Sequence, residues 1–196
     1  MGTRSLTVFT EHGSKTPTEI VVMYRQFDGY IEGHGDELAK FLQPFTMTNG
    51  ISPTEKKSAN GMGCLSAQVI SHFKQTIKTY DWNAERVFNV KTGAMELPVI
   101  DNNHSGGFYL YPAGSRDCGE EYIYYISQTK GRIYLRACIA GSPERTWKNE
   151  IFPAKEEEDI WEGFIDNWNL GDALAMEKHI MDRKHEEWKA KQELEQ

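Results

Sequence analysis

Ser5-Leu6-Thr7-Val8-Phe9-Thr10 and Glu19-Ile20-Val21-Val22-Met23-Tyr24-Arg25-Gln26-Phe27, followed by Asp28-Gly29-Tyr30 and Gly33-His34-Gly35, decide how this chain is read. Both runs are rich in β-branched and aromatic residues, and the segment between them, Glu11 to Thr18, is polar, which predicts a β-hairpin. If the strands pair around that loop, the numbers of opposed residues sum to about 29, so Arg4 faces Arg25. Two guanidiniums side by side repel unless something negative lies between them, either the Asp28 carboxylate or a bound anion. The end of the hairpin, with Thr3, Arg4, Ser5, Arg25, Gln26, Asp28, Tyr30 and His34, is therefore the candidate ligand-binding site. The backbone leaves it through glycines into a helix whose first amides lie near Gly33 to Asp36, a second source of positive potential. His34 between two glycines is a candidate general base oriented by Asp28 or Asp36.

Working outward, Leu38, Phe41, Leu42 and Phe45 recur at helical spacing over residues 36 to 45, and Met62, Leu65, Val69, Phe73, Ile77 and Tyr80 do so over a second helix. Residues 46 to 61 read as a long loop. A strand is expected at Arg86 to Val90 with a turn at Lys91-Thr92-Gly93, and stronger strands at Phe108 to Tyr111, Tyr122 to Ser127 and Arg132 to Cys138. Hairpin pairing around Gln128 to Gly131 puts Tyr124, Ile126, Ile133 and Leu135 on a core face. Tyr125, Tyr134, Arg132 and Arg136 fall on the other, open to a stacked ligand or to a covering layer. Ile160, Trp161, Phe164, Ile165 and Trp168 form an i, i+3, i+4 stripe that reads as a third helix covering that second face. From Asp172 to Gln196 the chain turns almost wholly charged, with Leu174, Met181 and Trp188 seven residues apart, as in a helix that projects or meets a partner. The whole reads as an α+β fold: a mostly antiparallel twisted sheet with two helices on one face and C-terminal helices on the other face or at an oligomer interface. A core domain over 1–150 precedes a helical extension over 151–196.

Charged residues make up 26% of the 196 and the net charge is -7, which argues against general nucleic-acid binding. Cys64, Cys118 and Cys138 are widely spaced and suit a reducing compartment. No C-x-x-C or H-E-x-x-H pattern occurs, so neither a metal nor a cofactor is expected. No apolar run approaches about eighteen residues and the early apolar run is too short for a secretory signal, so a cytoplasmic protein without membrane contact is expected. Asn60-Gly61-Met62-Gly63-Cys64 lacks the Lys-Ser/Thr ending of a P-loop and reads as a close-packed helix start with Cys64 a small core residue. Asp101 to His104 reads as a turn, and Glu156 to Asp159 as an acidic helix start.

Several spaced motifs resemble a family. Met1-Gly2-Thr3-Arg4-Ser5-Leu6-Thr7, Tyr24-Arg25-Gln26-Phe27-Asp28-Gly29-Tyr30, Gly33-His34-Gly35, Glu37-Leu38-Ala39, Asn60-Gly61-Met62-Gly63-Cys64-Leu65 and Gly106-Gly107-Phe108-Tyr109-Leu110-Tyr111-Pro112 together look like an uncharacterised family of bacteriophage and bacterial proteins. The likeness spans residues 1 to 140 and does not reach past Trp147. It implies an accessory role in an infected cell, hence the host cytoplasm, and one such role is the capture of a host nucleotide signal in anti-defence. The expectation is thus a binder of a small anionic ligand, a nucleotide first. The alternatives are a nucleotide or phosphoester hydrolase, and a protein-interaction module or homo-oligomer acting through the C-terminal helices.

Overall fold

The structure, a computed structural model, describes residues 2–12, 17–50, 57–75, 79–100, 107–140 and 160–194. The expectations for Asp101 to His104 and for Glu156 to Asp159 lie outside these residues. Strands β1 (Ser5–His12) and β2 (Pro17–Arg25) form the expected hairpin, followed by a π-helical turn, Ile31–Gly35, that runs directly into α1 (Asp36–Leu42). The stretch read as a loop contains two short strands, β3 (Thr46–Thr48) and β4 (Ser58–Asn60), paired in parallel. Helix α2 (Gly61–Gln75) begins where Gly61 takes φ +73°, a conformation that a Cβ disfavours. Next come β5 (Thr79–Tyr80), β6 (Val87–Asn89), β7 (Ala94–Glu96) and β8 (Val99–Ile100), nested as one two-stranded arm with Gly93 at its tip turn. Strands β9 (Phe108–Tyr111), β10 (Tyr122–Thr129), β11 (Arg132–Ile139) and β12 (Ile160–Phe164) precede α3 (Leu170–Leu194). The β10–β11 turn has Lys130 and Gly131 both at positive φ, as a tight hairpin of right-handed twist requires.

Six strands make one sheet in the order β12-β11-β10-β1-β2-β9, antiparallel except where β1 and β10 meet at its centre. Central strands are covered on both faces, which is why Leu6, Val8, Phe9 and the run Tyr122 to Ile126 are all buried. On one face lie α1, α2 and the π turn over Phe9, Met23, Tyr124, Ile126, Ile133 and Leu135. The other face is a smaller cluster of Leu6, Val8, Val22, Tyr24, Ile123, Tyr125 and Cys138, with Cys118 of the 112–121 loop packed on it.

Two expectations are corrected. The aromatic stripe at 160–168 is not a helix. Residues 160–164 pair as the edge strand β12 with β11, from Tyr134↔Phe164 to Cys138↔Ile160, and only Ile165–Asn167 turn helically. Three β-branched or aromatic residues around a glycine do not separate one period from the other over so short a run, and the unpaired edge of β11 decides for the strand. Nor does the C-terminal helix cover the second face: Ala173 of α3 belongs to the same cluster as Leu38 and Tyr124, on the side of α1 and α2.

Tyr122 fastens α3 there. Its phenol, buried at the start of β10, donates to Glu177 Oε1, and burial together with that bond pushes its pKa up. Tyr122→Phe should lower stability by about 1.5–3 kcal/mol, the value of a hydrogen bond to a carboxylate, read by urea denaturation. Amide exchange should quicken in α3 and stay slow in β10.

Candidate functional site

The hairpin register moves the two arginines apart. Near the loop the pairs Thr10↔Glu19, Glu11↔Thr18 and His12↔Pro17 follow the expected arithmetic, but between Phe9 and Thr10 the register shifts, leaving Ile20 as an extra residue in β2. Beyond this bulge the pairs run Phe9↔Val21 to Ser5↔Arg25. A slip of one residue exchanges the faces of a strand, so Arg25 opposes Ser5 on the helix-covered face and Arg4 goes to the other. Arg4 is exposed, with its guanidinium over Gly119, while its carbonyl accepts from Glu121 N at 2.9 Å. The opposed arginine pair expected from the sequence is not formed, and the carboxylate that meets Arg25 is Glu37's rather than Asp28's.

Arg25 instead joins a buried polar chain. Its Nε donates to Phe27 O at 2.6 Å, and its Nη1 reaches both Glu37 Oε2 and His34 Nδ1, the latter at 2.9 Å. A guanidinium only donates, so Nδ1 of His34 accepts, the ring proton sits on Nε2, and Nε2 donates to Thr7 Oγ1 at 2.8 Å. His34 is fully buried, edge-on to Phe73, Tyr124 and Phe108, and burial followed by the Arg25 charge holds its pKa well below the ordinary value. Both ring nitrogens are engaged inside the protein, so His34 fixes the π turn to β1 and β2. Asp28, at φ +53°, contributes its backbone carbonyl to His34 N at 3.0 Å. Thr3 O receives Gly29 N at 2.9 Å, Gln26 N binds Gly107 O at 2.8 Å, and Tyr30 begins the turn with its ring partly exposed. Ser5 Oγ is buried beside Gly29 with no partner among the described residues. Of the residues picked from the sequence, Ser5, Arg25 and His34 therefore share one place, and Arg4 stands apart.

Sequence reading missed what surrounds Arg25 on its solvent side. Its guanidinium carbon lies 5.2 Å from the Phe108 ring centre, and Lys74 Nζ is 3.5 Å from Phe108 O. Phe73 links Phe108, at 5.7 Å, to Phe41, at 6.2 Å, on which His72 stacks at 4.2 Å. Lys57 Nζ completes the row, 5.1 Å from Phe41 and 5.7 Å from Phe45. The His72 pKa is lowered by partial burial, then by the charge of Lys57, with Glu37 opposing. Among the described residues, one corner thus gathers Arg25, Lys57, His72 and Lys74 near the carboxylate of Glu37, on a floor of phenylalanines, in a chain of net charge -7. Asp36 on the same helix is taken up by Lys40. Lys57, His72 and Lys74 carry no motif. On a helix flank or in a polar segment such residues read as a solvated face, and only the fold brings them to Arg25.

The Tyr/Arg face is occupied by its own carboxylates. Arg116 binds Glu19 at 2.5 Å and Gly114 N binds the same side chain at 2.6 Å, both lying on the face that the sequence left open to a stacked ligand or to a covering layer. Arg116 and Arg136 flank the Tyr125 ring at 5.7 and 5.9 Å, and Arg136 meets Glu162 at 2.8 Å. Tyr134 donates to Glu162 at 2.6 Å; burial, then that bond, raise its pKa to about 12. Cys64 is half-buried, accepts from Gln68 Nε2 at 3.3 Å and packs on the core. No group of His, Cys, Asp and Glu suited to a metal occurs among the described residues, and no described helix is long and apolar enough to cross a membrane. Comparison with protein-family models, with curated proteins and with solved structures gives no match for this chain.

Proposed function

We propose that this protein binds a small anionic ligand, a nucleotide in the first place, at the corner of Arg25, Lys57, His72 and Lys74, and that in an infected cell it sequesters a host nucleotide signal. What carries the reading is the concentration of cations near Glu37 over aromatic rings among the described residues, in a chain whose net charge is negative. Phosphate oxygens suit the guanidinium fork and the two ammonium groups, and a base suits the half-exposed Phe41 and Phe45 faces. Glu37, whose side chain is 53% exposed, already holds Arg25 as an anion would and can yield to a stronger one.

Titration with inorganic phosphate, mononucleotides and cyclic dinucleotides tests this by calorimetry and thermal shift. Lys57→Ala and Lys74→Ala remove exposed side chains and should each weaken binding about tenfold, the worth of one charge-assisted contact of roughly 1.4 kcal/mol. Glu37→Gln should tighten it. The reading fails if no member of the panel raises Tm, or if both lysine variants bind as the parent does. A hydrolase acting at the same corner is the second reading. It is favoured by His72, half-buried and kept neutral near pH 7 as a base must be. Ligand recovered intact after incubation excludes turnover, and altered product establishes it.

A further inference from the structure

The arm β5–β8 is built one-sided. On one side Asn89 Nδ2 donates to Glu96 Oε2 at 2.7 Å, Thr92 Oγ1 donates to Glu96 Oε1, and Asn89 Oδ1 accepts Lys91 N at 2.9 Å, so the polar groups satisfy one another. Phe88 and Met95 are opposed in the ladder, one residue out of step with Asn89 and Glu96, and so share the other side. They are 61% and 54% exposed, and Trp82, Val90 and Val99 along the same arm are all more than half exposed, while Val87 opposes Glu96 on the polar side. A lone two-stranded ribbon is marginal in water, and large apolar patches on a folded chain mark interaction surfaces.

We propose that this arm is where two copies of the chain associate, arm against arm about a two-fold axis, with Phe88 and Met95 at the centre. Three observations favour a second copy as the occupant. The five bared side chains of this side present on the order of 600 Å², at the 150–250 Å² scale of large aromatic residues, most of the roughly 800 Å² per partner that a standard interface buries. Two molecules of net charge -7 repel, yet on the arm Asp81, Glu85 and Glu96 are nearly balanced by Arg86 and Lys91, so the copies meet where repulsion is least. The Phe88–Met95 pair is also self-complementary, as a two-fold contact demands: each residue can lie over the other residue of the second copy. On the exposed half of α3, by contrast, Met181 and Trp188 stand two turns apart among charged residues.

Light scattering and sedimentation of the full chain over a wide concentration range test the proposal. The expected result is a mass of twice 22.5 kDa at the upper end, a shift of the Trp82 emission to shorter wavelength on association, and at least a tenfold weaker dimer for Phe88→Ser and for Met95→Ser. Because these side chains are exposed, the variants should melt with the parent's cooperativity, and Trp188→Lys should leave the dimer intact. A monomer at every concentration overturns the proposal. So does a dimer that survives both arm substitutions or that Trp188→Lys dissolves, or an arm that engages a different protein while the chain stays single. Nucleotide titration of Lys57→Ala reads the corner separately, so either proposal can fail alone.

Discussion

Gly29→Ala is expected to lower folding stability by about 3 kcal/mol, at the upper end of what an overpacked site costs and a large share of the roughly 5–15 kcal/mol that holds a domain together. A Cβ on Gly29 would lie 2.8 Å from Arg4 C, Ser5 N and Ser5 Cβ. Two of those atoms are backbone of the segment entering β1, a central strand that cannot give way. Gly29 also ties its turn down at both ends, through Gly29 N to Thr3 O at 2.9 Å and Tyr124 Oη to Gly29 O at 2.9 Å. Pushing the turn outward breaks both bonds and drags His34 from its partners. Gly63→Ala is the control: no atom lies within 4 Å of a Cβ there, in helix α2, so it should be neutral or stabilise by up to about 1 kcal/mol. Urea denaturation of both variants decides it. A Gly29→Ala protein within 1 kcal/mol of the parent would mean that the turn does not press on β1.

The same turn shows what the sequence could and could not tell. Periodicity placed β1, β2, α1, α2, β10 and β11, because each has a long enough pattern on one face to be unambiguous, while the short strand β9 was marked by its run of aromatic residues. It also placed Tyr124, Ile126, Ile133 and Leu135 together in the core. It missed the bulge at Ile20, since an extra residue in an apolar run leaves no mark when Ile20 itself packs partly into the core. That single residue decided which face Arg25 occupies, and with it the site. Residues 160–164 were misread because an edge strand of five residues is too short to separate one period from the other. The partners of Arg25 were invisible for another reason. Glu37, Lys57, His72 and Lys74 come from α1, α2 and the segment before β4, and their meeting depends on how those elements dock on β2 and β9.

The buried imidazole makes stability depend on acid. In the native protein His34 accepts from Arg25 and donates to Thr7, a pattern open only to the neutral ring; a second ring proton would point at a guanidinium in a dry site. Unfolded, the same histidine takes a proton near its ordinary value of about 6.5. Below that pH the unfolded chain binds one proton more than the native one, so stability falls as pH falls, by up to about 1.4 kcal/mol per pH unit, until the native ring itself is protonated. The loss should deepen as the pH is taken further below that value, for as long as the native ring stays neutral. His72, whose pKa is also lowered by burial and then Lys57, adds a smaller loss of the same sign because it is only half-buried. Urea denaturation at stepped pH gives the slope. In His34→Gln an amide can still donate toward Thr7 and accept from Arg25 but cannot titrate, so that variant should be less stable at pH 7 and show a slope smaller by nearly one proton. Nitrogen-15 shifts of the His34 ring should keep the Nε2–H form down to the onset of acid unfolding. A parent profile that stays flat from pH 7 to pH 5, or a His34 ring that titrates in that interval while the protein stays folded, would show that the ring reaches water and that the chain from Thr7 through His34 to Arg25 is not closed.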